Sequence, residues 1–99
     1  MLEELDKLEK YLKEKKIPYE RYDDPGITNE EGRQIFDRHQ IIVPNAERHE
    51  WDAICHYGSY GVEKGLLEVM GEKVIRNTSD FVEGYLTADE IIRRLEEQG

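Results

Sequence analysis

Leu2, Leu5, Leu8 and Leu12 recur at three- and four-residue steps, with Tyr11 beside them. That period belongs to a helix with one apolar face. The spacing predicts an amphipathic helix over 2–16. Glu3–Lys7, Asp6–Lys10 and Glu9–Lys13 add acid-to-base pairs four residues apart, in the better orientation. Pro18 ends this helix near Lys16, because the residue before a proline avoids helical backbone. Residues 19–22 then read as a short strand, and Asp23-Asp24-Pro25-Gly26 as a turn. Over 27–38 the pattern is less regular. Thr28 followed by Glu31 matches a capping box and predicts a short helix, which Gly32 weakens.

The best strand patterns are HQIIV at 39–43 and WDAICHY at 51–57, with a polar loop between them. A hairpin is the simplest pairing. Side chains alternate across a sheet, so pairing Val43 with Trp51 gathers His39, Ile41, Val43, Trp51, Ala53, Cys55 and Tyr57 on one core-facing side. Gln40, Ile42, Asp52, Ile54 and His56 take the other side. A slip of one residue would mix the two sets, so the pattern itself favours this register. After Gly58-Ser59-Tyr60-Gly61, residues 62–70 read as a short helix with Val62, Leu66, Val69 and Met70 on one side, ended by Gly71. Residues 72–75 suit a further strand and 77–80 a loop. The last helix is the clearest. Thr87 and Glu90 form a capping box, Leu86 and Ile91 a hydrophobic staple, and Ile91, Ile92 and Leu95 a buried stripe. Arg93 and Arg94 lie toward its C-terminal end, where cations are favoured. The fold expected is a single α+β domain over 1–99. It has a small antiparallel sheet of three to four strands, with N-terminal, middle and C-terminal helices packed mainly on one face.

Composition narrows the function classes. No apolar run approaches the ~20 residues of a membrane span. The first residues are charged from position 3, unlike a secretory signal. A cytoplasmic location is expected. One cysteine, Cys55, leaves no intrachain disulfide. The net charge of −9 repels polyanions, so direct nucleic-acid binding is not expected. The same charge suits basic protein partners, and six acids stand against two bases after residue 77. No cofactor or metal is implied, because His39, His49, His56 and Cys55 lack metal-ligand spacing. Cys55 and His56 are neighbours in a strand and point to opposite faces, so they cannot form a dyad. Cys55 opposite His39 on an apolar face reads as a buried structural thiol.

The segment that could carry chemistry is His56-Tyr57-Gly58-Ser59-Tyr60-Gly61. A strand passing through two glycines into a helix would leave the helix's first N–H groups free for an anion. Ser59 could donate a hydroxyl hydrogen bond, and Tyr57 and Tyr60 offer rings for a base to stack on. Trp51 is a further aromatic candidate. Arg38, with Arg33, Arg48 or Lys64, would supply positive charge. The plainer reading also stands: the glycines serve the turn, Ser59 caps a helix and Trp51 fills the core. The ligand-binding set is therefore Tyr57, Gly58, Ser59, Tyr60, Gly61, His56, Trp51 and Arg38, with no catalytic residue assigned.

HQIIV, WDAICHYGSYGVEKGLLEVMG and VEGYLTADEII together resemble a family of small uncharacterised proteins from Gram-positive bacteria and their phages and mobile elements. That resemblance implies no catalytic or binding residues. It implies a setting, the accessory proteins of mobile DNA, which often block host defence from the host cytoplasm. Three functions follow. The first is a non-catalytic binding protein for a small nucleotide-like ligand, sequestering an immune signalling nucleotide as a homo-oligomer. The second is an acidic protein–protein inhibitor of a host defence protein, anti-CRISPR-like or a nucleic-acid mimic. The third is a small nucleotide-acting enzyme using His56 as base with Asp52 on the same strand face.

Overall fold

The structure, a computed structural model, describes residues 2–76 and 81–98. Its elements run α1 (Glu3–Glu14), β1 (Glu20–Asp24), β2 (Ile27–Thr28), β3 (Gln34–Ile35), β4 (Arg38–Val43), β5 (Trp51–Ile54), β6 (Leu67–Met70), β7 (Val82–Leu86) and α2 (Ala88–Glu97). A single 3₁₀ turn, Val62–Lys64, lies between β5 and β6. Five strands form one antiparallel sheet in the order β1-β4-β5-β6-β7, and β2 and β3 form a separate hairpin. The fold is α+β, with two helices.

Helix α1 buries Leu5, Leu8 and Leu12, the stripe its spacing predicts. It stops at Glu14 rather than 16. Lys16 adopts left-handed backbone (φ 57°), and the Ile17 N–H closes onto the Leu12 carbonyl at 2.9 Å. That is the bond pattern of a Schellman stop. Helix α2 carries the expected capping box: Thr87 Oγ1 accepts the Glu90 N–H, and Glu90 Oε1 accepts the Thr87 N–H, both at 3.2 Å. The helices lie side by side on one sheet face, joined by Lys7–Asp89 (3.0 Å) and by the Ala88 N–H to Glu4 Oε1 (2.7 Å). Their buried side chains meet Ile41, Val43, Trp51, Ala53, Cys55, Leu67 and Val69 from the sheet. The β4–β5 register pairs Val43 with Trp51, as the hydrophobic pattern requires. Across the opposite face the 44–50 loop folds back, bringing Ala46 N–H to Glu20 (2.6 Å) and His49 to Asp52 (2.6 Å).

Several expected elements are different. No helix forms over 27–38. Asn29 Oδ1 instead accepts the N–H groups of Glu31 and Arg33 (3.0 and 2.9 Å), closing the β2–β3 turn that the Thr28–Glu31 reading missed. The middle helix over 62–70 is absent too. Left-handed Gly61 and Gly65 confine it to one 3₁₀ turn. Beyond it, Leu67 and Val69 point inward while Glu68 and Met70 point outward, the two-residue period of a strand. Gly71 thus follows a strand. Residues 72–75 form a turn on the Gly71 carbonyl rather than a strand. Strand β7 was not foreseen, and the expected loop at 77–80 lies outside the described residues. No helix among the described residues is long and apolar enough to cross a membrane.

Candidate functional site

Strand directions place the ends of β1, β5 and β7 and the starts of β4 and β6 at one end of the sheet. The β2–β3 hairpin leaves the sheet there, because it joins β1 to β4. Strand β5 stops at Ile54, three residues earlier than expected, and the 55–61 turn crosses this end. Tyr57 leaves the core face on which alternation placed it, because its N–H is drawn to Asp37 Oδ1 (2.7 Å) and Gly58 turns left-handed.

The turn is held by its own polar atoms. Ser59 is buried; its Oγ accepts the His56 N–H (3.0 Å) and donates to the His56 carbonyl (2.7 Å). The Tyr60 N–H goes to Glu68 Oε1 (2.9 Å), and the Tyr60 carbonyl accepts from Tyr85 N–H (3.3 Å). Two glycines permit this packing. Gly61 has φ 99°, and a Cβ there would meet Leu66 Cβ at 3.0 Å and Tyr85 Cα at 3.1 Å. A Cβ on Gly84 would lie 2.3 Å from Tyr60 Cβ, so β7 can approach the turn only through glycine. The 3₁₀ turn that follows is too short to offer an anion the expected helix N-terminus.

What this end presents to solvent is aromatic. Phe36 is 67% exposed, Tyr57 48%, Tyr60 58% and Tyr85 52%, with Ile27 at 58% on the hairpin. Phe36 and Tyr57 meet edge to face, ring centroids 5.0 Å apart. Phe36 (φ 56°) and Tyr85 (φ 60°) both hold left-handed backbone. Bulky side chains rarely adopt it, and each such residue carries about 1–3 kcal/mol of strain. Two strained backbones at one end thus both present an aromatic ring to water.

Beside the rings lies a polar cluster built on buried His39 and Asp37, with Asp23 at its open side. His39 sits between Asp23 (Nδ1 to Oδ1, 2.7 Å) and Asp37 (Nε2 to Oδ2, 3.4 Å). Burial acts to raise the Asp23 pKa, but the hydrogen bonds from His39 and Arg21 outweigh it and hold the carboxyl below its usual range. The His39 N–H donates to His56 Nδ1 (3.1 Å), so neutral His56 carries its proton on Nε2. Burial lowers the His56 pKa, against the pull of Asp37. Protonation then favours the unfolded chain, where the ordinary value is about 6.5. The stability contributed is present above that value and lost as the pH falls below it. We expect His56→Asn, which keeps an acceptor for the His39 N–H, to flatten this part of the pH profile. Urea midpoints at a series of pH values check it; identical slopes in both proteins would refute the assignment.

The other sequence candidates fall elsewhere. Trp51 is buried in the core, on Val43 of β4, and lines no open site. Arg38 is exposed, but its guanidinium stacks on Tyr22 at 4.2 Å and its Nε bonds Gln40 (2.9 Å). Arg48 pairs with Glu50 at 3.8 Å. Arg33 is exposed at the hairpin and Lys64 in the 3₁₀ turn. Asp52, the proposed partner of His56, is instead bound by His49 and by Gln40 (3.1 Å). Cys55 is fully buried; its N–H donates to the His39 carbonyl (3.1 Å), and burial pushes its thiol pKa up. A cavity of about 370 Å³ opens at the far end of the sheet, between the 71–76 turn and the end of α2. Its Lys73, Arg76 and Arg94 are each paired with a glutamate. Phe36 and Tyr85 escaped the sequence reading. Each has a polar or glycine neighbour on one side and an apolar one on the other (Ile35-Phe36-Asp37 and Gly84-Tyr85-Leu86), a pattern that does not distinguish an exposed ring from a core one. No protein-family model, curated protein or solved structure matches this chain.

Proposed function

We propose that this is a non-catalytic binding protein that docks a basic protein partner on its aromatic end. The observation that carries the reading is the gathering of four exposed aromatic rings, two on strained backbone, at one end of the sheet. Exposed apolar groups concentrated this way mark interaction surfaces, and aromatic anchors dominate binding energy. Ser59, His56 and Asp52 each have an internal partner, which supports structural duties for them and a binding role for the surface. The −9 charge favours a basic partner and makes association salt-sensitive. In the mobile-element setting that the resemblance implies, a host defence protein in the cytoplasm is the partner to seek first.

The test is capture from a Gram-positive host lysate at low salt, comparing the wild type with Tyr57→Ser/Tyr60→Ser. A protein retained by the wild type, released by salt and lost by the variant is expected. Equal recovery by both would place the contact elsewhere.

A second reading keeps the small nucleotide-like ligand, sequestered by a homo-oligomer. Its support is the pair of exposed rings, Tyr57 and Tyr60, with the exposed cations Arg33 and Lys64 at the same end. Thermal shift against cyclic and linear nucleotides tests it. Ligand at 100 times its Kd adds ~2.7 kcal/mol, a rise of roughly 10 °C or more in a domain this small. A selective rise lost in Tyr57→Ala would favour the nucleotide, and a flat panel the protein partner.

A further inference from the structure

The hydroxyls of the tyrosines divide into two sets. Those of Tyr19 and Tyr22 donate to Glu9 (2.8 Å) and Glu20 (3.2 Å). Those of Tyr11, Tyr57, Tyr60 and Tyr85 have no partner among the described residues; Tyr11 packs half-buried on α1, and the three exposed ones all belong to the aromatic end. That surface therefore offers flat apolar rings interleaved with free hydroxyl donors. The exposed acids Asp24, Glu30, Glu31 and Glu63 flank it. Arg33 and Lys64 are the exposed bases there besides Arg38, whose guanidinium is held on Tyr22 and Gln40.

From this we infer that the aromatic end binds an extended, proline-rich segment carrying lysine or arginine. The polyproline II conformation has no internal hydrogen bonds, so its carbonyls are free to accept from tyrosine hydroxyls. Proline rings pack on aromatic faces, and the segment loses little freedom on binding because it is already extended. The flanking carboxylates meet its cations. This rests on the proposed protein-docking function and names the chemistry of the partner.

The probe is a short fluorescent peptide of the pattern Pro-x-x-Pro with arginine at both ends, read by polarisation against the intact protein. A control peptide has glycine for each proline. Saturable binding of the proline peptide is expected, with the glycine control at least tenfold weaker and added salt weakening both. Tyr60→Phe keeps the ring and removes the donor, and is expected to weaken binding up to about tenfold. Tyr57→Ser/Tyr60→Ser should abolish it while the far-ultraviolet circular dichroism stays that of the wild type. Equal binding of the two peptides, or none by the wild type at low salt, overturns the inference. If the peptide fails while lysate capture still depends on Tyr57 and Tyr60, the docking function stands and only the partner chemistry is wrong. If both fail, both readings are withdrawn.

Discussion

Replacing Trp51 with alanine is expected to lower the free energy of unfolding by about 3–5 kcal/mol. The ring is 3% exposed, at the start of β5 and opposite Val43. Gly71 packs so close that a Cβ there would lie 2.5 Å from Trp51 Cβ. Neighbours on both sides are therefore fixed, and the space left by the indole cannot easily collapse. A domain of this size holds roughly 5–15 kcal/mol in all, so the variant should sit close to its unfolding threshold. Urea denaturation of both proteins measures the difference. A loss below ~1 kcal/mol would mean that the ring is no part of the packed interior, and would reopen its candidacy as a ligand-stacking group.

A comparable loss, about 3 kcal/mol, is expected from Asp37→Ala. Removing the buried carboxylate leaves the Tyr57 N–H and the His39 ring without this acceptor, at about 1–3 kcal/mol for each buried group left unsatisfied. The His39 ring keeps its second partner, Asp23, so the larger share of the loss falls on the Tyr57 N–H. Asp37 has two duties, one oxygen on the His39 ring and the other on the Tyr57 N–H. Asp37→Asn keeps an oxygen for Tyr57 and should lose less. Amide exchange separates the duties: the Tyr57 N–H is expected to exchange faster in Asp37→Ala and near the wild-type rate in Asp37→Asn. Unchanged exchange in both would show that the turn is held by Ser59 and Glu68 alone.

Where one local rule governed a segment, the residues made it legible. Thr87 with Glu90, the leucine stripe of α1 and the alternation across β4 and β5 each point one way, and each element forms with the expected face and register, although α1 and β5 end two and three residues early. Errors arose where two rules competed over a few residues. Val62, Leu66, Val69 and Met70 fit a helical stripe, while Leu67 and Val69 fit a strand. The left-handed angles at Gly61 and Gly65 decided for the strand. Thr28 and Glu31 fit a capping box, but Asn29 between them captured the same N–H groups for a turn. Strand β7 hid because Gly84 interrupts its alternation, and only the contact with Tyr60 explains that glycine. Of the aromatic end, Tyr57 and Tyr60 were visible in the sequence. Phe36 and Tyr85 were not, because they join the others only through strand pairing between segments far apart in the chain.

The two outer strands of the sheet bear on how copies of this protein behave when crowded. Strand β1 reads Glu-Arg-Tyr-Asp-Asp, and β7 carries a register shift where it meets β6. Charge on one border and irregularity on the other are what prevent a sheet from recruiting strands of a neighbouring molecule. Concentrated solutions should therefore resist conversion to cross-β fibrils, and any assembly of copies must be built from faces, because the sheet ends where the molecule does.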